Sequence, residues 1–339
     1  MAQKIVVMAT SFLEPPLGAG SDLLGVKNDG VKLLQDFVTR HPEYTLEWRC
    51  ERDPRSPLNV DELSDVVAVI ADLERYDREL LRAVGAGGNS GPGGTVRLIA
   101  RYGAGVDAVD LSAARNHGVT VTNTPDAPRK PTAEWTVQML LAVAGRQIHQ
   151  HRRAIAGKPK ETRSRLDVTG KVLGVIGTGR IGRQVVELMR GFEMEIIATC
   201  KAPDPAWAKT AGVTYVDMPE LLERSDFITI HASGTERIIG RTELAQVKPT
   251  AVLVNCARDV LVDQDAVLES LREDRLWGYG VDEIWNNRGV IPEDTVNFVT
   301  SPHVGSATDA GKRAMQIATA QAVVAFLSGK RPANIVVEP

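Results

Sequence analysis

Cysteine is scarce in this 339-residue chain. Cys50, Cys200 and Cys256 are the only three, too few and too irregularly spaced for a disulfide framework or a zinc site. They imply reduced thiols and a cytoplasmic protein. No apolar run approaches the ~20 residues that a membrane span requires. The first nine residues lack the long apolar region of a signal peptide and read as a first β-strand. Neither sign of charge is in large excess. The formal net charge of −3 argues against a general nucleic-acid binder. No repeat is found at solenoid periods.

What is present is an ordinary soluble composition, 43% apolar, in a chain too long for one core, which implies two domains. Short apolar strands alternate with helical patterns, the sign of a parallel sheet covered by helices. Strands are predicted at Lys4–Met8, Leu46–Arg49, Val66–Ile70 and Val96–Ala100. Others are predicted at Lys171–Ile176, Met194–Thr199, Phe227–Ile230, Ala251–Val254, Gly278–Val281 and Asn297–Thr300. Gly85–Gly94 reads as a flexible connector, because no strand feeds it directly. Pro131, a good first-turn residue, starts a long helix pattern that runs to Arg153. A polar linker, Lys158–Thr169, follows, and a last helix pattern covers Thr308–Leu327.

The most informative stretch is Gly174–Arg183, in which an apolar strand runs into Gly177-x-Gly179-x-x-Gly182 and then into a helix pattern. In that context the glycines read as a dinucleotide-binding turn. Gly177 permits the tight turn, Gly179 lets a pyrophosphate approach the backbone, and Gly182 lets the helix pack on the strand. Arg180 and Ile181 open the helix, whose free N–H groups and dipole face the phosphates. One expected residue is missing. An NAD-binding unit ends its second strand with an Asp or Glu for the ribose 2′-OH; here Cys200 and Lys201 stand there. Without the carboxylate a 2′-phosphate is not repelled, and Lys201 can pair with it. NADP is therefore expected over NAD.

Four further segments resemble the D-isomer-specific 2-hydroxyacid dehydrogenases. Arg101–Asp110 looks like that family's substrate loop, and Asn123–Glu134 like its interdomain hinge. Val254–Asp263 looks like the segment with its catalytic arginine, and Ser301–Thr308 like the segment with its catalytic histidine. The resemblance runs from about Val96 onward; the first 95 residues match only as a generic α/β pattern. It implies an α/β protein of two doubly wound parallel-sheet (Rossmann-like) domains with the active-site cleft between them. The expected division is 1–122 plus 310–339 for the substrate domain and 123–309 for the dinucleotide domain. Helix 131–153 resembles the family's dimer-forming arm, so a homodimer is implied.

The resemblance implies hydride transfer between a nicotinamide and a small anionic 2-hydroxy or 2-keto acid. The planar, permanently charged fork of Arg258 suits a carboxylate, and the N–H groups of Ala104 and Gly105 can hold the same group. His303 is the acid/base, since imidazole titrates near neutral pH. Asp282 is implied to lie near the nicotinamide amide, and Cys256 and Ala257, beside Arg258, are counted with the cofactor site. No metal, nucleic acid or membrane is implied. Two departures stand out. The family's Glu that bonds the histidine lies five positions after the residue equivalent to Asp282, and here that position is Asn287. Asn287 is expected to replace the acid, unless Glu283 or Glu293 serves from a rebuilt loop. Arg129 and Lys130 make the hinge unusually basic, and Arg129 is expected to meet an anionic substrate. Two alternatives stay open: a formate- or phosphonate-type dehydrogenase, and a non-catalytic NAD(P)-sensing protein.

Overall fold

The computed structural model describes residues 2–9, 12, 29–51, 53, 56–86, 94–159, 164–283 and 297–339. Its chain forms two compact units, Met1–Pro128 with Ala307–Pro339, and Arg129–Ser306.

The first unit is built on β1 (Gln3–Val7), β2 (Tyr44–Trp48), β3 (Val66–Ala71), β4 (Leu98–Arg101), β5 (Thr120–Thr122) and β13 (Ile335–Val337). The sheet order is β2-β1-β3-β4-β5-β13, parallel except for β13, which runs antiparallel to β5. Successive side chains leave a strand on opposite faces. Val6 and Met8 accordingly join a core with Leu81, Ile99 and Val121. Ile5 and Val7 join another with Leu34, Phe37 and Val323. The helices are α1 (Asp29–Arg40), α2 (Arg78–Val84), α3 (Leu111–Asn116) and α11 (Asp309–Leu327). Covered on both faces, β3 is buried at all six positions, which explains its unbroken apolar sequence.

The second unit holds β6 (Val172–Ile176), β7 (Glu195–Thr199), β8 (Val213–Tyr215), β9 (Phe227–Ile230), β10 (Val252–Asn255), β11 (Gly278–Val281) and β12 (Phe298–Thr300). All pairs are parallel, in the order β8-β7-β6-β9-β10-β11-β12. The order reverses between β6 and β9, the point where ligands bind open α/β sheets outside the carboxyl ends of the strands. Its helices are α4 (Arg129–Ala144), α5 (Gln147–Ile155), α6 (Arg180–Met189), α7 (Pro205–Ala211), α8 (Met218–Arg224), α9 (Arg241–Leu244) and α10 (Gln264–Arg272).

The single helix predicted over 131–153 is two helices. Arg146 takes a left-handed φ of 49° between α4 and α5, beside Gly145. Pro131 does sit in the first turn of α4. Strands β5, β8 and β13 were not predicted. Each has three residues, too few to show a period. Of the glycine-rich connector, residues 87–93 lie outside the described residues, while Gly85 bridges to Val96.

Candidate active site

The glycines of the turn differ in what surrounds them. Gly177 has φ +98°, and a Cβ there would lie 2.8 Å from the carbonyl carbon of His231. A Cβ on Gly182 would lie 2.1 Å from the Gly177 oxygen, so only glycine lets α6 start this close to β6. A Cβ on Gly179 would meet nothing within 4 Å among the described residues, which leaves an open face. Around it lies a pocket of about 510 Å³ lined by Arg129, Thr178, Gly179, Arg180, Arg183, Gln184 and Glu187. Arg183 is committed: Nε donates to Thr178 O at 3.0 Å, Nη2 pairs with Asp204 at 2.9 Å, and the guanidinium lies 4.6 Å from the Trp207 ring centre. Arg129, by contrast, has a buried Nε with no acceptor among the described residues. The start of α4 therefore brings this residue, expected on the substrate side, to the glycine turn. An open Gly179 face and an unsatisfied guanidinium nitrogen fit a dinucleotide's phosphates.

At the end of β7, Cys200 is half-buried and its Sγ accepts the Thr178 hydroxyl at 3.1 Å. Lys201 is exposed and has no ion pair among the described residues.

The carboxyl end of β10 carries Arg258 on a built turn. Buried Asn255 accepts Ala257 N–H at 3.0 Å and donates to Arg258 O at 2.6 Å. Arg258 is half-buried, and its Nη1 donates to Ala257 O at 2.7 Å. Burial pushes the Cys256 thiol up to about 12, which disfavours the thiolate. Burial also pushes His231 down to about 3, which keeps it neutral.

At the end of β11 the buried Asp282 carboxylate organises the next loop. Oδ1 accepts Ser301 Oγ–H at 2.6 Å and Val304 N–H at 2.8 Å; Oδ2 accepts Gly305 N–H at 2.7 Å. Trp135 Nε1 on α4 donates to Ser301 Oγ at 3.2 Å. A Cβ on Gly305 would lie 2.6 Å from Asp282 Oδ2. This frame holds His303 in a left-handed backbone, φ +59°, a conformation uncommon outside glycine. The His303 ring lies against Glu283, with Nδ1 2.8 Å from Oε2. Asn287 and Glu293 lie outside the described residues. Trp135, Ser301 and Asn255 were missed as supports. Ser301 had one signal, its place in the Ser-Pro-His segment; the other two are visible only once the helix and turn are built.

In the first unit, Gly103 takes φ +131° and exchanges hydrogen bonds with Thr124: its N–H donates to Thr124 Oγ1 at 3.0 Å, and its carbonyl accepts Thr124 N–H at 2.9 Å. Asn123 Nδ2 donates to Ala104 O at 2.8 Å. The N–H groups of Ala104 and Gly105 have no acceptor among the described residues. No group of three or more His, Cys, Asp or Glu among the described residues is placed to hold a metal ion. No helix among them is long and apolar enough to cross a membrane.

A parallel sheet with a glycine turn at its switch point defines a dinucleotide-binding α/β protein. The family model for the NAD binding domain of D-isomer specific 2-hydroxyacid dehydrogenases matches residues 137–305. Glyoxylate reductase of Korarchaeum cryptofilum is 32% identical over 312 residues, 88% of this chain and 91% of the relative. That of Thermococcus litoralis is 30% identical over 327 residues, 92% and 94% of the two chains. A crystal structure of a Thermus thermophilus protein superposes with a TM-score of 0.78 at 28% identity, covering 99% of this chain and all of the other. The chain belongs to the D-isomer-specific 2-hydroxyacid dehydrogenase family.

Proposed function

We propose that the protein reduces a small 2-keto acid, or oxidises the matching 2-hydroxy acid, with a nicotinamide cofactor. One observation carries the reading. The carboxyl end of a single sheet collects a dinucleotide turn, an arginine on a turn built by a buried Asn, and a histidine on a loop pinned by a buried carboxylate. When bound, the nicotinamide supplies or accepts the hydride. Arg258 holds the substrate carboxylate through its planar fork. His303 gives the carbonyl oxygen its proton in reduction and takes it back in oxidation. The open N–H groups of Ala104 and Gly105 are assigned to the anionic substrate as well.

Cys256 and Ala257, on the Asn255 turn, line the cofactor side. Asp282 is kept as a cofactor neighbour whose carboxylate is already spent on the histidine loop. Arg129 is assigned to the cofactor's pyrophosphate, because its unsatisfied Nε stands at the glycine turn. Lys201, with no acid at Cys200, favours NADP over NAD. Glyoxylate is the first substrate to test, since relatives matched over most of their length carry the name glyoxylate reductase. A cytoplasmic homodimer joined through α4 and α5 completes the reading; Leu141, Ile148 and Ile155 are exposed there.

The test is NADPH and NADH oxidation with glyoxylate, hydroxypyruvate and 2-oxoglutarate, for wild type, His303→Ala and Arg258→Lys. Turnover that collapses in His303→Ala is expected. Arg258→Lys should lose roughly 100-fold in kcat/KM for the acid, with cofactor affinity kept. Tight cofactor binding without turnover of any acid would replace the enzyme reading with a sensor.

A further inference from the structure

His303 meets a carboxylate from an unexpected place in the chain. The family resemblance puts the histidine's acid five positions beyond Asp282, where Asn287 stands. The structure instead brings the residue next to Asp282 against the ring, with Glu283 Oε2 2.8 Å from Nδ1. We propose that Glu283 is the positioning residue of the proton-transferring histidine. The acidic pair at the end of β11 then divides the work. Asp282 fixes the backbone of the loop and Glu283 fixes the ring. This inference rests on the reading of His303 as the acid/base.

Three features carry it. Glu283 is anchored from both sides: Asp282 lies under the loop through three hydrogen bonds, and Thr300 Oγ1 donates to Glu283 O at 2.9 Å. The side chain is four-fifths covered, at 20% exposure, so water competes weakly for the ring. An ionised carboxylate accepts hydrogen bonds and cannot donate them. Facing Glu283, Nδ1 therefore carries the hydrogen, and Nε2 is the nitrogen left to exchange a proton with substrate. His303 holds this arrangement in a left-handed backbone, φ +59°, a conformation that persists only where its surroundings fix it. Sequence spacing offered Glu283 only as an alternative to Asn287. A carboxylate next to Asp282 should alternate to the other side of an extended strand, but β11 ends at Val281, and past that point alternation no longer governs direction.

The experiment compares full-length wild type, Glu283→Gln and Glu283→Ala. Its readouts are kcat, KM, cofactor Kd by nucleotide fluorescence, and 15N NMR of the histidine rings, with the His303 signals identified by their loss in His303→Ala. Wild type is expected to show the Nδ1–H tautomer. Glu283→Ala should shift the His303 signals toward the other tautomer and lower kcat by about 100-fold, with cofactor Kd unchanged. Glu283→Gln should recover part of both, since its amide oxygen still accepts from Nδ1. Unchanged His303 signals in Glu283→Ala would overturn the proposal, whatever happens to kcat. Undiminished turnover in His303→Ala would overturn the acid/base reading instead, and the ring signals would still decide whether Glu283 fixes the tautomer.

Discussion

Cys200 and Lys201 stand at the end of β7, where the proposed cofactor's ribose would present either a hydroxyl or a phosphate. An acid here would repel the phosphate, and the thiol does not. Lys201 is exposed with no ion pair among the described residues, so its ammonium is free to meet a 2′-phosphate at an advantage of roughly 10- to 100-fold. In Cys200→Asp the kcat/KM ratio of NADPH to NADH should fall below one. No change in the ratio would remove Lys201 from the account. Arg129 makes a separate claim on the same cofactor. Arg129→Ala should weaken ADP and ADP-ribose, leave adenosine unaffected, and leave the preference for 2′-AMP over AMP intact. Loss confined to 2′-AMP would move Arg129 to the ribose phosphate. In the first unit, burial raises the Glu74 carboxyl, which is 1% exposed and whose Oε1 has no partner among the described residues. Such a group holds its proton longer folded than unfolded. It therefore binds more protons when folded, and stability falls as pH rises above the ordinary carboxylate range. Urea midpoints of Glu74→Gln and wild type should diverge in favour of Gln between pH 4 and 8. A constant gap would mean that Glu74 binds its proton equally in the folded and unfolded states, so that its burial does not raise it.

At the scale of elements, the turn from β6 into α6 tolerates least. Gly182→Ala would drive a methyl to 2.1 Å from the Gly177 carbonyl oxygen, and backbone cannot step aside as a side chain does. The helix start must lift, at a cost of roughly 1–3 kcal/mol, and dinucleotide affinity should drop at least tenfold by calorimetry. Gly179→Ala has space in the bare protein, so any loss there reports on the ligand. This turn was legible in the sequence because its glycines follow a fixed spacing between a strand and a helix: Gly177 needs its left-handed φ, Gly182 must clear the Gly177 oxygen, and Gly179 leaves an open face. The break between α4 and α5 was not. Arg146 supplies it by adopting φ 49°, a choice no apolar period records. The carboxylate facing His303 was legible only as one of two alternatives, Glu283 or Glu293, because counting along a motif assumes that the loop keeps its family length. Arg129 reached the glycine turn by helix packing, which spacing in the hinge does not encode.

Over the whole molecule, alternating strands and helices announced parallel sheet covered by helices, while chain length and the family resemblance implied two such domains; β3 and β9, both expected as strands, are buried throughout. The edge strand β13 was invisible, since three residues gain their strand character only from pairing with β5. The first unit is assembled from two stretches of chain with the entire second unit between them. Its α11 supplies Arg313, which pairs with Asp29 on α1 at 2.5 Å, and Gln316, whose backbone lies so close to Gly30 that a Cβ there would come within 2.8 Å. A ribosome adds roughly 5–20 residues per second, so α1 and its sheet wait many seconds for α11 and β13. The inserted unit is one continuous stretch of chain, Arg129–Ser306. Birth order and folding order should therefore differ. In arrested nascent chains, protease resistance should appear first across 129–306, and the earlier-made segment should stay digestible until α11 has left the exit tunnel. If the amino-terminal segment resists protease before then, its sheet is stable without the helix that covers it.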